Sequence, residues 1–361
     1  MSEARIAADE VADIHTPLLR NHWYVAGYAN EFESGLHERT FLDRSILLFQ
    51  AADGELVALQ NRCAHRSFPL AHGVREGDEI RCRYHGAKYD RTGRMTECPS
   101  MSRCPNVSIR HYPTRIAGPL AWIWMGEAPP AEGQEPPATP WLTEDGWAWT
   151  TGAYELGGNW LLMAENLMDL THIPFLHATS FNFPRGFAEA AVKLEILGDR
   201  LSFHRDNPPN YQRSGFLRAE DSEAIEQAGF HARSTVNFVS PALTHGGGRF
   251  VLEHPDPGAM PAYEFQVIHF TTPISAGRTH YWYFFSRNYA LDDEALSAKI
   301  RTMVDDGFQE DRMAIELVQA MHERDRHAFR EVNFRSDGPG VSMRRNVARL
   351  AAREAAALTS A

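Results

Sequence analysis

Residues 63–86 read CAHRSFPLAHGVREGDEIRCRYHG, and they are the most informative segment for the structure of the N-terminal part of the chain. One residue separates Cys63 from His65, two residues separate Cys82 from His85, and 16 residues lie between the two pairs. Each pair therefore offers one thiolate and one imidazole from a short loop. Both groups are metal ligands, so the spacing predicts a metal centre held between two loops.

Two kinds of metal centre use two Cys and two His. A Rieske [2Fe–2S] cluster binds two Cys on one iron and two His on the other, whereas a structural zinc ion binds all four. Zinc fingers usually group the two Cys together and the two His together, but here each loop carries one of each. The alternation favours the [2Fe–2S] cluster, with zinc as the alternative. Cys98 and Cys104 have no His at ligand spacing and are interpreted as free thiols.

A second signal is the sequence NLMDLTHIPFLH, which begins at Asn166. On a helix, Asn166, Asp169 and His172 share one face, and the proline that follows ends the helix so that His177 can turn back beside His172. Two imidazoles and one carboxylate form the facial triad of non-haem Fe(II) oxygenases. A pair of nearby histidines is by itself more often a hydrogen-bonded pair. An electron-delivering cluster in the same chain favours iron.

The third ligand is predicted from a later helix. Its apolar stripe contains an acid among residues spaced 4, 3, 4 and 3 apart: Val304, Phe308, Asp311, Ile315 and Val318. A carboxylate on a buried face is unfavourable unless it is paired or bound to a metal. Asp311 is therefore the candidate, with a capping or ion-paired role as the alternative. Its neighbours Asp305 and Glu310 fall off the stripe and are interpreted as solvated charges.

The composition excludes several classes of protein. The chain has 361 residues, 36 Lys and Arg against 47 Asp and Glu, and a net charge of −11. Such an acidic balance disfavours nucleic acid and anionic lipid as partners. The chain start is acidic where a signal peptide is basic, and no run approaches the ~18 apolar residues of a membrane helix. Four cysteines are too few for a disulfide scaffold. A cytoplasmic protein is expected.

The order of strand-rich and helical segments along the chain predicts two main domains. Residues 23–124 are rich in short apolar runs typical of strands, a helix is predicted over 159–171, residues 190–290 are strand-rich, and the chain is helical from Asp292. We predict a leader at residues 1–18 and a Rieske β domain at 19–126. A Pro-rich linker at 127–140 then leads into a catalytic domain at 141–361.

Together these features resemble the Rieske non-haem iron oxygenases, and within them the vanillate O-demethylase and dicamba monooxygenase group. Further support comes from NHWYVA at 21–26, FFSRNY at 284–289 and EDR at 310–312. The resemblance implies an α+β protein, with a Rieske [2Fe–2S] β domain followed by a catalytic domain in which helices flank an antiparallel sheet. The family often has glycine where this chain has Ser67.

The resemblance also implies the roles of the candidate residues. It assigns the [2Fe–2S] cluster to Cys63, His65, Cys82 and His85, and a mononuclear Fe(II) to His172, His177 and Asp311. Asp169 and Asn166 are the candidate catalytic residues. In the family, the residue matching Asp169 bridges the two centres between neighbouring subunits, which implies a head-to-tail ring, expected here as a homotrimer.

The resemblance also indicates two residues of this chain that would contact the substrate, although they match the family less directly than the metal ligands do. His269 precedes Phe-x-Thr-Pro, as does a substrate-contacting histidine in the dicamba type, and Arg249 matches an earlier strand position of the same pocket. An arginine there would pair with a carboxylate, which suits an aromatic acid; a surface arginine on an edge strand is the alternative. Thr302 or Met303 stands where the dicamba type has tryptophan, so dicamba is not the expected substrate.

The expected function is that of a terminal oxygenase acting on O2 and a small aromatic substrate. The chain lacks a G-x-G-x-x-G loop, and its glycine run at 246–248 does not match one, so a separate NADH-dependent reductase, with or without a ferredoxin, must supply electrons. A carboxylated, methoxylated substrate is expected, and O-demethylation would release formaldehyde. The alternatives are ring or N-methyl hydroxylation, and a Rieske electron carrier without oxygenase activity.

Overall fold

A computed structural model describes residues 11–207, 215–255, 260–324 and 331–359. The chain divides into two compact units. The first unit comprises Arg20–Ala138 and Thr272–Ser275. The second comprises the described residues of Met1–Leu19, Thr139–Thr271 and Ala276–Ala361. Residues 1–10 of the predicted leader lie outside the described residues, and residues 11–18 contain a turn at 14–16 and no helix.

The first unit consists of three antiparallel sheets. Its strands are β1 Trp23–Tyr28, β2 His37–Phe41, β3 Arg44–Gln50, β4 Leu56–Gln60, β5 Val74–Glu76, β6 Glu79–Arg81, β7 Lys88–Tyr89, β8 Met95–Glu97, β9 His111–Tyr112, β10 Thr114–Ala117 and β11 Leu120–Trp124. Their orders are β1-β11-β10, β2-β3-β4-β9 and β5-β6-β7-β8. The Pro-rich segment that follows β11 has no regular structure before Pro140.

The cysteine loops of the first unit follow strands that end in its core. Cys63 lies after β4 and Cys82 directly after β6. Both side chains pack into an apolar cluster that includes Leu47, Phe49 and Ile80. Because the strands are anchored by this core, the two loops begin from fixed positions.

The second unit is built on one seven-stranded antiparallel sheet. Its strands are β12 Ala148–Leu156, β13 Lys193–Leu197, β14 Arg200–Asp206, β15 Phe230–Ser240, β16 Leu243–Leu252, β17 Ala262–Ser275 and β18 Arg278–Arg287, in the order β12-β18-β17-β16-β15-β14-β13. The helices are α1 Pro140–Thr143, α2 Trp160–Leu167, α3 Ile173–Leu176, α4 Ala219–Ala228, α5 Glu294–Arg324 and α6 Gly338–Thr359. The mixed α+β class predicted from the sequence is confirmed.

One face of this sheet forms the wall of a cavity. Side chains alternate along a strand, and the register pairs Ser234 with Gly248 and Gly248 with Phe265. Gly246, next on the same face of β16, pairs with Val267. Small residues on β16 therefore leave space in the middle of this face.

Helix α5 carries the predicted apolar stripe, with one correction. Val304, Phe308, Asp311 and Ile315 are buried as predicted, but Val318 is 43% exposed, and Gln319 occupies the buried position instead. The 3.6-residue period drifts away from a strict 4-3 spacing over three turns, so the stripe moves by one residue. Among the described residues, none of the helices is both long enough and apolar enough to span a membrane.

Candidate active site

The four predicted cluster ligands lie on the two loops of the first unit. The thiols of Cys63 and Cys82 are buried, and the two residues are 3% and 1% exposed. His65 and His85 are exposed, and their rings meet edge to face with centroids 4.6 Å apart. The loops thus present a buried pair of thiols and a surface pair of imidazoles.

Both loops close with the same turn. The Ser67 amide donates to the Cys63 carbonyl at 2.9 Å, and the Gly86 amide donates to the Cys82 carbonyl at 3.0 Å. Both Ser67 and Gly86 have positive φ, +59° and +78°. Glycine adopts this conformation at little cost, which explains the glycine that the family often has at the position of Ser67. Here the Arg62 Nε donates to Ser67 Oγ at 2.9 Å and supports the turn.

Tyr89, which belongs to none of the sequence motifs above, contacts the first loop directly. Its hydroxyl accepts from the Ala64 amide at 3.0 Å and lies 3.3 Å from Cys63 Sγ. Because the oxygen already accepts the amide, its own hydrogen is available to the sulfur. Burial raises the pKa of Tyr89, so the hydroxyl remains a donor. In the sequence, the only indication of this contact was that Tyr89 lies four residues after the candidate ligand His85.

The donor set fits a [2Fe–2S] cluster. Burial raises the pKa of the Cys82 thiol, and the neighbouring Cys63 raises it further. Two adjacent buried thiolates require a cation for stability, and iron supplies that charge. Two sulfur and two nitrogen donors, divided between a buried side and a surface side, are the ligands of a Rieske cluster.

The second candidate site lies in the second unit. His172, His177 and Asp311 each offer a ligand atom, and these atoms all lie within 4.8 Å of one another. Asp311 Oδ1 is 3.2 Å from His177 Nε2 and 3.6 Å from His172 Nε2. Burial lowers the pKa of His172, which favours the neutral imidazole that a metal requires. Two imidazoles and a carboxylate fit a mononuclear non-haem iron.

The predicted helix over 159–171 is too long. Helix α2 ends at Leu167, so Asp169 and His172 lie beyond it. The Asp169 carboxylate accepts from the Thr171 amide at 2.7 Å and the Thr171 hydroxyl at 2.9 Å. This local turn competes with continued helix. His172 then precedes the short helix α3, and Pro174 lies in the first turn of α3 rather than ending α2.

Asn166 holds the carboxylate of Asp311. Its Nδ2 donates to Asp311 Oδ1 at 3.0 Å. Its Oδ1 is buried, has no hydrogen-bond partner among the described residues, and belongs to a residue that lines the cavity. Asn166 is therefore a positioning residue for Asp311.

The interpretation of Glu310 as a solvated charge was wrong. Its carboxylate accepts from His177 Nδ1 at 2.8 Å, from Ser180 Oγ at 2.6 Å and from Thr179 Oγ1 at 3.3 Å. Because the carboxylate is an acceptor, it holds the proton on Nδ1 and leaves Nε2 free as a ligand. Glu310 lies off the apolar stripe but next to Asp311, and that adjacency was the only signal.

Replacing Glu310 with glutamine is expected to lower iron affinity at the His172, His177 and Asp311 group by about 10–100-fold, because the imidazole loses its orienting acceptor. Iron retained after dialysis against a graded chelator series measures this. Asp306→Asn, an exposed acid on the same helix, is the matched control. Equal iron retention in the two variants would exclude this role for Glu310.

A largely apolar cavity opens beside the three-residue group. Six phenylalanines line it, at positions 181, 183, 187, 216, 265 and 308. The acidic residues in the described lining are Asp169 and Asp311, and its histidines are His172, His177 and His269. The shape and lining suit a flat, apolar ring whose edge reaches the metal group.

The two predicted substrate contacts separate in the structure. His269 lines the cavity, while Arg249 is not among the lining residues. The Arg249 side chain is 61% exposed, and its Nε lies 3.7 Å from a Glu264 carboxylate oxygen. Gly246 and its partner Val267 line the cavity from one face of the sheet. Because side chains alternate along a strand, Arg249, three residues after Gly246, lies on the opposite face. The structure therefore favours the surface alternative for Arg249.

Cys98 and Cys104 are free thiols. Both are partly buried and pack against the core of the first unit, and Cys104 Sγ donates to the Met95 carbonyl at 3.4 Å. Their surroundings are those of small apolar side chains.

Both units of the chain match known protein families. The Rieske [2Fe–2S] domain family matches residues 22–113, and the vanillate O-demethylase oxygenase C-terminal domain family matches residues 156–353. The iron–sulfur subunit of a toluene-4-sulfonate monooxygenase system from Comamonas testosteroni is 33% identical, with 82% of this chain and 87% of the relative covered. The oxygenase component of dicamba O-demethylase from Stenotrophomonas maltophilia is 26% identical, with 94% and 99% covered.

The fold agrees with these matches. A crystal structure of dicamba monooxygenase bound to dicamba superimposes with a TM-score of 0.82 at 22% identity, covering 94% of this chain and 99% of that chain. Fold and matches together define the terminal oxygenase of a Rieske monooxygenase. The chain belongs to the Rieske oxygenases whose catalytic domain is of the vanillate O-demethylase type. Its cofactors are a Rieske [2Fe–2S] cluster and a mononuclear iron, for which the His172, His177 and Asp311 group is a fitting site.

Proposed function

We propose that this terminal oxygenase removes a methyl group from an aromatic methoxy compound, with Cys63, His65, Cys82 and His85 binding the cluster and His172, His177 and Asp311 binding the mononuclear iron. The observation that carries the proposal is the two-histidine, one-carboxylate group at the edge of a phenylalanine-lined cavity. When bound, the cluster supplies single electrons and the mononuclear iron activates O2.

The chain's own residues prepare the site. The phenylalanines exclude water and hold an aromatic ring by edge and face contacts. Asn166 and Glu310 fix Asp311 and His177 by the hydrogen bonds given above. These contacts orient the metal group before a substrate arrives, so little rearrangement is needed at the moment of reaction.

The overall reaction balances with two electrons. One oxygen atom of O2 enters the methoxy C–H bond, the other leaves as water, and two protons are consumed. The resulting hemiacetal breaks its C–O bond to give a phenol and formaldehyde. We propose that NADH supplies the electrons through a separate reductase, consistent with relatives that are components of multicomponent systems.

Asp169 is proposed to connect the two centres within a homotrimer. It lines the cavity beside His172, its negative charge partly offsets the lowering of the pKa of His172 by burial, and its carboxylate is fixed by Thr171. A carboxylate in this position can orient an imidazole on each side, including one from the cluster of a neighbouring subunit. Sedimentation should accordingly give a species of three chains.

Replacing Asp169 with asparagine is expected to leave both metal contents unchanged but slow electron delivery by about 10–100-fold, because the amide cannot hold two imidazoles as the carboxylate does. The rate at which the pre-reduced cluster loses its electron in the presence of O2 and substrate measures this. An unchanged rate would contradict the bridging role of Asp169.

The function is tested with purified holoprotein, NADH and a surrogate reductase. The panel contains methoxylated, N-methylated and unsubstituted aromatic acids, together with their neutral amides, because the described cavity lining contains no Lys or Arg. Formaldehyde equal to the methoxy substrate consumed supports O-demethylation. Products heavier by one or two oxygen atoms, without formaldehyde, would instead identify a ring hydroxylase on the same scaffold.

A further inference from the structure

The cavity wall contains a buried hydrogen-bonded pair. One member, His269, is the substrate contact expected from the resemblance, and the other, Tyr281, has no role assigned so far. His269 on β17 lines the cavity, and its Nδ1 lies 2.6 Å from the hydroxyl of Tyr281 on β18. The two residues are 8% and 0% exposed. His269 Nε2 has no hydrogen-bond partner among the described residues.

Two arrangements of hydrogen atoms are compatible with this distance. Either Tyr281 donates to the lone pair of Nδ1, or Nδ1–H donates to the phenol oxygen. In the second arrangement the phenol hydrogen needs another acceptor. Within the described part of the chain, the Tyr281 hydroxyl has no hydrogen-bond partner besides Nδ1, and it is closed to solvent.

The first arrangement therefore satisfies the pair, whereas the second leaves a buried O–H without an acceptor. The protonation states of the two groups are consistent with the first arrangement. Burial lowers the pKa of His269 to about 3 and raises that of Tyr281, so both groups are neutral near pH 7. A neutral imidazole that accepts at Nδ1 carries its hydrogen on Nε2.

We propose that Tyr281 is a positioning residue that fixes His269 as an Nε2–H donor toward the cavity, so that the site selects aromatic substrates with a hydrogen-bond acceptor facing that atom. The acceptor would be a carbonyl, ether, carboxylate or sulfonate oxygen. This selection is by hydrogen bonding rather than by charge, because His269 is neutral. The inference deepens the proposed function and rests on it for the identity of the cavity as the substrate site.

Binding of two neutral probes of the same shape tests the selection. Acetophenone has a carbonyl oxygen where α-methylstyrene has a CH2 group. Titration calorimetry uses oxidised holoprotein without reductant, so no turnover occurs. The wild-type protein is expected to bind acetophenone about tenfold more tightly than α-methylstyrene, the ratio of one hydrogen bond.

Variants separate the role of Tyr281 from a structural one. Tyr281→Phe is expected to reduce the ratio to about threefold or less, and His269→Leu to remove it. Tyr154→Phe is the matched control, because Tyr154 packs against Tyr281 but donates to the Phe308 carbonyl instead. It should keep the wild-type ratio. Should Tyr281→Phe fail to fold, His269→Gln provides the second test, since its amide retains a donor and should retain most of the preference.

Neutron diffraction from holoprotein crystals reads the hydrogen directly. Deuterium on Nε2 of His269 and on the Tyr281 oxygen is expected. Deuterium on Nδ1 would overturn the proposal, as would equal affinity of the wild-type protein for the two probes or no saturable binding of either. Because neither measurement needs turnover, these results stand apart from the proposed function: expected binding together with no O2 consumption would contradict only the oxygenase reaction.

Discussion

Asp311→Ala is expected to lower the iron content from about three to about two atoms per chain and to reduce oxygenase activity below detection. Asp311 is 2% exposed, and one of its oxygens lies within 3.6 Å of both imidazoles and of the Asn166 amide. Without this carboxylate, two neutral imidazoles remain, and neither neutralises the charge of Fe(II).

The cluster should be unaffected by Asp311→Ala, because its four candidate ligands lie in the other unit. We therefore expect the visible absorption of the Rieske centre to keep its wild-type intensity. The metal-free variant should fold, since alanine removes a buried carboxylate that is unfavourable without a cation. Iron analysis measures the metal content, and absorption spectroscopy measures the Rieske centre. Asp306→Ala on the same helix is the control. A variant that keeps three irons would exclude Asp311 as a ligand.

Cys82→Ser is expected to abolish the cluster and, with it, turnover. The Cys82 thiol is buried beside Cys63, and a serine hydroxyl is a poor replacement for a thiolate on iron. Iron content should fall to about one atom per chain, the visible spectrum should disappear, and the mononuclear site should still bind iron.

Cys104→Ser is the matched control for this loss. Cys104 is a free, partly buried cysteine in contact with the same core, so its replacement tests a Cys-to-Ser change without a metal role. We expect a wild-type spectrum for Cys104→Ser. A Cys82→Ser protein with the full Rieske spectrum, or a Cys104→Ser protein without it, would contradict the assignment of the cluster loops.

The sequence predicts local constellations well. The pairs Cys63/His65 and Cys82/His85, and the histidines at 172 and 177, are each separated by a few residues, so chain geometry alone brings them near one another. Asp311 lies far from the two histidines in sequence and was selected as a candidate ligand because a carboxylate interrupts an apolar helical stripe. In the structure, its carboxylate and the ligand atoms of both histidines lie within 4.8 Å of one another.

The errors arise where a local interaction overrides a periodic pattern. Helix α2 ends at Leu167 because Asp169 forms its own turn with Thr171, which no helical spacing reveals. Glu310 was assigned to solvent because the stripe describes only the buried face, whereas the acid at its edge reaches His177. For Arg249, the decisive fact was strand register, since a shift of one residue exchanges the cavity face for the outer face.

Other features depended on pairing between distant strands. Tyr89 meets Cys63 across the first unit, and Tyr281 meets His269 because β17 and β18 are neighbours in the sheet. An isolated tyrosine in a strand predicts only a half-buried aromatic side chain. Its hydroxyl partner becomes known only when the register is fixed.

Diffraction at the iron absorption edge from crystals of the holoprotein locates the irons themselves. We expect anomalous density for two adjacent irons between the Cys63/His65 and Cys82/His85 loops. We also expect one separate iron bound by His172, His177 and Asp311. A single zinc-like peak between the loops, or no iron at the second group, would contradict these assignments.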